Sequence, residues 1–230
     1  MLLLYKKGAV FIQKDKKERT MRIKVALLFA LVGVCTFLLT GCIGGYTGHY
    51  SFSLEKVERP KETRQRYGEK ENIFIEENRY VYEDNLLKIL FFPTARQISF
   101  SIKNKTDHSI KIIWDEAAYI DEDNSSHRVM HSGVKFMSRD QPQAPSVVVA
   151  GGTLEDMVYP TDYAYYSGGW KQNPLLPTEK AFAEEVAEFT RRVKDLWGKR
   201  IGILLPLQIE GVINEYTFMF KITNAWVRDY

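Results

Sequence analysis

The chain has 230 residues, of which 27% are charged and 45% hydrophobic; this composition excludes a disordered protein and favours one globular domain of ordinary size. The formal net charge of +3 averages two unlike parts. Residues 1–41 contain eight Lys or Arg and two Asp or Glu, which leaves 24 basic and 27 acidic residues for 42–230. Because a nucleic-acid-binding domain usually carries a basic stripe, this slightly acidic part argues against a nucleic-acid partner.

The first predicted element is a short apolar segment near the start of the chain. Arg22 and Lys24 precede an uncharged apolar stretch of 15 residues, 25–39. A helix of that length spans about 22 Å, which is short of the hydrocarbon core of about 30 Å. A basic flank, a short apolar core and small residues at its end predict an export signal peptide at 1–41.

The end of this segment carries a more specific motif. Leu39, Thr40, Gly41 and Cys42 form the sequence LTGC, which resembles the lipobox of bacterial lipoproteins. In that family the cysteine sulfur receives a diacylglycerol, the leader is cut just before the cysteine, and the new amine is often acylated too. The resemblance covers 21–42. It implies that Cys42 holds the protein to a membrane through lipid, and two or more acyl chains make such an anchor stable.

Two alternatives concern the same region. A transmembrane helix can be drawn over 25–47, but Gly44 and Gly45 continue a helix poorly. The segment 1–20 resembles an over-long gene start with Met21 as the initiator. If 1–20 is translated, the positive region is longer and the predicted topology stays the same.

The lipoprotein resemblance also implies a location. In Gram-negative lipoproteins an Asp after the lipidated cysteine resembles a signal for retention in the inner membrane. Position 43 is Ile, so in a Gram-negative organism the resemblance implies the outer membrane. Cys35 would leave with the leader and Cys42 would carry lipid. The mature domain, 51–230, would then have no cysteine for catalysis, zinc or a disulfide. We expect 42–50 to be a lipid-bearing tether.

Alternation of apolar and polar residues with period two dominates after the tether and predicts half-buried strands. The charged stretch 60–71 is predicted to be a loop. The run 86–92, LLKILFF, fits either a buried strand or a short helical turn. The polar segment 104–109 is expected to form a hairpin-like connection or a corner between sheets. The strand candidates are 52–57, 73–75, 79–82, 97–103, 110–114, 119–120, 127–130, 146–149, 201–209 and 216–222.

One segment has helical rather than strand periodicity. From Thr178 to Trp197, apolar residues recur at gaps of three and four, which predicts an amphipathic helix. Thr178 would cap its start and Gly198 would end it. Its polar face carries Glu and Arg, and we expect the helix to pack on the sheet.

About eight strands and one helix predict a mainly β fold, an antiparallel β-sandwich with an amphipathic helix at 178–197. The runs FSIKNKTDHSIKIIW, VVVAGGT and YTFMFKI resemble immunoglobulin-like modules of bacterial envelope proteins, in which a strand ends in an Asn-rich corner and a Gly-Gly turn precedes a later strand. This resemblance implies an immunoglobulin-like fold and carries no functional residues. The Cys and Trp signature of true immunoglobulin domains is absent.

Candidate metal and catalytic groups are sparse in the sequence. On a strand His127 and His131 would stand about 13 Å apart, too far for one metal ion. The acidic tip 121–125 has clustered oxygens for calcium but lacks the Gly and distal Glu of an EF-hand loop, so a solvated hairpin tip is favoured. None of the usual motifs for hydrolysis or phosphate binding occurs. We therefore predict no catalytic residues, no metal, no cofactor and no enzymatic activity.

The most informative stretch is an aromatic loop at 159–170. Tyr163, Tyr165, Tyr166 and Trp170 lie close together in sequence with two glycines. Exposed aromatic side chains on a loop suit a protein partner or sugar stacking, because they offer a large contact area at low entropy cost. The alternative is that the loop folds back and supplies core aromatics. We expect a non-enzymatic scaffold or partner-binding module of the cell envelope, or else a carbohydrate- or peptidoglycan-binding lipoprotein that uses the same loop.

Overall fold

A computed structural model of the chain describes residues 45–68, 71–76, 79–180 and 185–229. The predicted signal peptide and its lipobox residues Leu39, Thr40, Gly41 and Cys42 lie outside the described residues. Neither described helix has the length and apolar composition needed to cross a membrane. The helices are α1 (Lys61–Tyr67) and α2 (Val186–Lys194), and the strands are β1 (Tyr46–Glu58), β2 (Glu71–Glu76), β3 (Arg79–Asp84), β4 (Leu87–Pro93), β5 (Ile98–Asn104), β6 (Ile110–Ile112), β7 (Ala118–Ile120), β8 (Ser126–Met130), β9 (Ser146–Val148), β10 (Thr153–Pro160), β11 (Ala164–Tyr166), β12 (Trp170–Gln172), β13 (Glu179–Lys180), β14 (Arg200–Ile209) and β15 (Val212–Asp229).

The fold is mainly β, and its strand pairs are antiparallel. Hydrogen-bonded neighbours follow one path, β13-β1-β15-β14-β7-β8-β10-β5-β4-β3-β2; β6 branches from β14, and β9 pairs with β6. β11 and β12 form a separate two-stranded sheet. β14 and β15 make a hairpin whose turn includes Glu210 and Gly211. The chain therefore forms one long curling sheet with a small hairpin outside it.

The core lies where this sheet turns back on itself. Alternate side chains of β3 and β4 face β15, which accounts for the period-two pattern in their sequence. The rings of Phe91 and Phe218 are 4.7 Å apart, and those of Tyr82 and Phe218 are 5.5 Å apart. The hydroxyl of Tyr80 donates to the carbonyl of Phe52, so β3 also contacts β1.

Most of the predicted strands are confirmed, and two open alternatives are resolved. The run 86–92 is a strand, Leu87–Pro93, with alternately buried side chains. Segment 104–109 is a corner, since β5 pairs with β4 and β10 whereas β6 pairs with β14 and β9. Buried Asn104 holds the corner by donating from Nδ2 to the carbonyls of His108, Val148 and Val149.

The predicted helix at 178–197 is wrong in its first part. Glu179–Lys180 is a strand, β13, paired with the start of β1. The carbonyl of Thr178 accepts a hydrogen bond from Gly48, so Thr178 is extended backbone rather than a helix cap. Helix α2 covers Val186–Lys194 and buries Phe189 and Val193, as the apolar stripe predicted. It ends before Gly198, and Trp197 is 65% exposed rather than packed on the sheet. Residues 181–184 lie outside the described part.

Two further segments differ from expectation. Tyr46–Tyr50 belongs to β1, so strand pairing begins inside the stretch assigned to the tether. The segment 60–71, predicted to be a loop, contains helix α1, and its sequence has no apolar periodicity that predicts a helix. Its one buried residue, Thr63, donates a hydrogen bond of 2.7 Å to Asn214 and so fastens α1 to the β14–β15 hairpin.

A buried charged cluster joins distant parts of the chain. Asp84 accepts hydrogen bonds from the backbone N–H groups of Leu86 and Leu87. Its other oxygen accepts from the hydroxyls of Tyr82 and Tyr216 and lies 3.0 Å from Nη1 of Arg59. Burial raises the pKa of both tyrosines, so they remain neutral donors. This Asp84 cluster connects the end of β1 to β3 and β15.

Candidate functional site

The predicted aromatic loop is a hairpin with a fixed base. After Pro160 the chain makes one 3-10 turn and then forms β11 and β12, whose register places Tyr166 opposite Trp170. Gly168 has a φ of 64°, a left-handed conformation that glycine adopts without steric cost. The hydroxyl of Tyr159 donates to the carbonyl of Asn173, and the Asn173 N–H donates to the carbonyl of Tyr163. The base of the hairpin is therefore tied to the main sheet.

Tyr163 belongs to this base and not to the exposed surface. Its ring makes edge contacts with Tyr119, Tyr159 and His127, at centroid distances of 6.4, 6.4 and 5.3 Å. Burial, with smaller contributions from nearby carboxylates, raises the pKa of Tyr163 to about 12. Tyr159, at the end of β10, is buried in the core and Tyr163 is partly buried against it, so for these two residues the structure favours the alternative left open by the sequence.

The other three predicted residues are exposed. Tyr166 and Trp170 are a cross-strand pair on one face of the hairpin, with rings 5.8 Å apart and nearly perpendicular. They are 70% and 39% exposed. Tyr165 is also exposed, but it pairs with Lys171 and alternation places it on the opposite face. The structure therefore brings Tyr166 and Trp170 together and separates Tyr165 from them.

Sequence reasoning missed the neighbours that complete this surface. The 3-10 turn Phe136–Ser138 places the ring of Phe136 6.0 Å from that of Trp170. The guanidinium of Arg139 lies 5.0 Å from the centre of the Trp170 ring, a cation–π contact, and Met137 beside it is exposed. We call Tyr166, Trp170, Phe136, Met137 and Arg139 the aromatic surface. The FMSR segment shows no periodicity and is some 30 residues from the hairpin, so no sequence signal connected the two.

His127 fastens the base of the hairpin to the β7–β8 turn. Its Nε2 is 3.1 Å from Asp121, and its Nδ1 is 2.8 Å from Asp162, which lies in the 3-10 turn before β11. Burial opposes a charge on the imidazole, but the hydrogen bonds and charges of the two carboxylates outweigh burial and raise the pKa of His127. Asp121 also accepts from the N–H groups of Asp123 and Ser125, so the predicted polar tip is an ordered turn.

The two histidines considered as a metal pair have separate partners. His131 stacks on Trp114, with ring centroids 4.2 Å apart and planes 3° apart, and its Nδ1 is 3.1 Å from Asp156. His127 faces Asp121 and Asp162 instead. Within the described ranges no three His, Cys, Asp or Glu side chains are grouped so that they could hold a metal ion.

A small cavity of about 310 Å³ lies beside the hairpin base, against α2. Glu122, Tyr163 and Arg192 line it together with the apolar run 174–177. Burial raises the pKa of Glu122, and the neighbouring Asp121 and Asp123 add to this effect. The region offers aromatic faces, a guanidinium and carboxyl groups, which are groups suited to holding a ligand or a partner.

Comparison with protein families, with curated proteins and with solved structures finds no match for this chain. The function is therefore argued from the geometry of the chain itself.

Proposed function

We propose that this chain is a lipid-anchored protein of the bacterial cell envelope, without enzymatic activity, whose β domain binds a partner protein through the aromatic surface. The LTGC motif at 39–42 supports the anchor. The close packing of β3 and β4 on β15 supports an immunoglobulin-like sandwich as the domain type, although the strands follow one connected path. In a Gram-negative organism the anchor would lie in the outer membrane.

The proposal that this surface binds a partner rests on the exposure of the hairpin. β11 and β12 form their own sheet outside the main one, so the core does not need Tyr166 or Trp170. Their rings, the ring of Phe136 and the guanidinium of Arg139 nevertheless form a continuous set of contacts. Trp, Tyr and Arg are the residue types that most often dominate the binding energy of protein interfaces. The fixed base lowers the entropy cost of binding because the hairpin is already ordered.

The test is a double variant, Tyr166→Ala with Trp170→Ala. We expect it to fold like the wild type and to lose a crosslinked envelope partner that the wild type captures. Trp197→Ala is the matched control, because Trp197 is also exposed but lies three residues after α2. Crosslinking in cells followed by quantitative mass spectrometry measures the capture. Equal capture by the wild type, the double variant and the control would refute binding at the aromatic surface.

A glycan is the second candidate ligand. Tyr166 is 70% exposed and its ring meets that of Trp170 edge-on, an arrangement that suits stacking on a sugar. Titration of the protein with glycans and muropeptides, read by tryptophan fluorescence, separates the two candidates. A saturable change that Trp170→Ala abolishes and Trp197→Ala retains would favour the glycan. No change, together with partner capture, would favour the protein.

The anchor has an independent test. Cys42→Ser should release the protein from membranes washed at alkaline pH, because the sulfur that carries the diacylglycerol is gone. Cys35→Ser is the control, since Cys35 lies in the predicted leader and should leave the anchor unchanged. Mass spectrometry of the mature amino terminus identifies the lipid directly. Retention of the Cys42→Ser protein in washed membranes would contradict a lipid anchor.

A further inference from the structure

An open groove of about 790 Å³ lies on the face of β3, β4, β5 and β10 that points away from the core. Leu90, Phe92 and Met157 give it an apolar floor, and Ser99 and Ser101 add hydroxyl groups. The register is continuous: Phe92 is opposite Ser99, and Ser99 is opposite Met157. Phe92 is 54% exposed, so a large aromatic ring faces solvent here with no role in the core. The volume is within the range of ligand-binding clefts.

The two ends of the groove carry opposite charges. Arg79 on β3 lines one end and Glu155 on β10 the other, and both are exposed. No described residue forms an ion pair or side-chain hydrogen bond with either of them. Two ion pairs lie nearby, Lys88 with Glu76 and Lys105 with Glu83. The groove therefore presents one unpaired cation and one unpaired anion at the two ends of an apolar floor.

The spacing of these charges defines what fits between them. β3 and β10 are separated by three strand-to-strand steps, about 14 Å at roughly 4.8 Å a step. Met157 is level with Arg79 and Glu155 lies two residues further along β10, so the backbones at Arg79 and Glu155 are about 16 Å apart. An extended peptide rises about 3.4 Å per residue, so residues i and i+4 are about 14 Å apart, and inclined side chains cover the remaining distance of about 2 Å. Residues i, i+2 and i+4 point to the same side. A side chain at i+2 would meet the apolar floor near Leu90 and Phe92.

We propose that this groove binds an extended peptide segment with an anionic side chain, an apolar side chain and a cationic side chain at positions i, i+2 and i+4. The anion meets Arg79, the apolar side chain covers Phe92, and the cation meets Glu155. The segment can run in either chain direction, provided the charges match. The groove is a second surface, and its occupancy does not depend on the aromatic surface.

The test measures anisotropy of labelled peptides, blocked at both ends, with the full-length protein in detergent micelles. The probe is Lys-Ser-Leu-Ser-Glu, and the comparison peptides carry Lys at both ends or Glu at both ends. The wild type should bind the Lys/Glu peptide most tightly, by about three- to fivefold for each matched charge. Arg79→Glu should prefer the Lys/Lys peptide, Glu155→Arg the Glu/Glu peptide, and the double reversal the Lys/Glu peptide again.

Two controls make the outcome decisive. Phe92→Ala should weaken all three peptides without changing their order, and Val149→Ala, at another exposed apolar residue, should change nothing. The Tyr166→Ala, Trp170→Ala double variant should bind the peptides like the wild type, so failure here and failure of the proposed function are separate results. The same order of affinities in all charge variants, or no saturable binding to the wild type, would overturn the proposal. Self-association abolished by Phe92→Ala, without peptide binding, would also overturn it and assign the groove to a second copy of the chain.

Discussion

At the scale of single residues, His127 holds together parts of the chain that sequence distance separates. Its imidazole faces Asp121 in the β7–β8 turn and Asp162 at the hairpin base, and it packs against the rings of Tyr119 and Tyr163. Burial raises the pKa of Tyr119 and Tyr163, so both phenols stay neutral near pH 7. The two carboxylates are therefore the charged groups that face the imidazole, and they favour its protonated form.

This arrangement predicts a pH-dependent stability. The pKa of His127 is raised in the folded protein, so its stabilisation is fully present below the unfolded value of about 6.5 and is lost as the pH rises through the folded value. Urea unfolding should show the wild type about 1 kcal/mol more stable relative to His127→Gln at pH 5.5 than at pH 8.5. His108→Gln is the control, because His108 is largely exposed. An equal difference between wild type and His127→Gln at both pH values would contradict this role.

At the scale of elements, apolar periodicity predicted the strands whose formation depends on packing one face against the core. β5 and β14 were predictable because alternate side chains enter the core. The extended backbone at the start of the predicted helix was not predictable. It is held by a hydrogen bond from the Gly48 N–H to the Thr178 carbonyl, and Gly48 lies 130 residues away in sequence. Helix α1 is held by the Thr63–Asn214 bond rather than by an apolar stripe, so it left no periodic signal.

The candidate site was predictable to a similar degree. Composition identified the aromatic hairpin, since Tyr, Trp and Gly are concentrated there. It did not distinguish Tyr163, which packs on Tyr119, from Tyr166, which is exposed. The contribution of Arg139 depends on how the Phe136–Ser138 turn approaches Trp170, and the groove between Arg79 and Glu155 depends on strand order. Both features depend on residues that are distant in sequence, so no local pattern predicts them.

At the scale of the whole molecule, the Asp84 cluster should be a large contributor to stability. Asp84→Ala removes the acceptor for two backbone and two phenol donors and leaves the buried charge of Arg59 without its closest partner. We expect a loss of about 3–5 kcal/mol in the free energy of unfolding, measured with urea. Glu83→Ala is the matched control on the same strand; its pair with Lys105 is partly exposed and should contribute less than about 1 kcal/mol. A loss for Asp84→Ala as small as that of the control would contradict the role of the cluster.

The pairing of β1 with β15 sets the order of events during folding. Tyr46 is opposite Asp229 and Glu58 is opposite Thr217, so the first described strand gains its main neighbour only after the final strand has been made. Until then Phe52, Leu54 and Val57, which are buried in the folded protein, lack the pairing of β1 with β15. Contacts between such distant parts of a chain form slowly because a long loop must close first. A newly made copy would therefore keep this apolar strand without its main partner early in folding, and a chaperone that holds unfolded chains would protect it most during that interval.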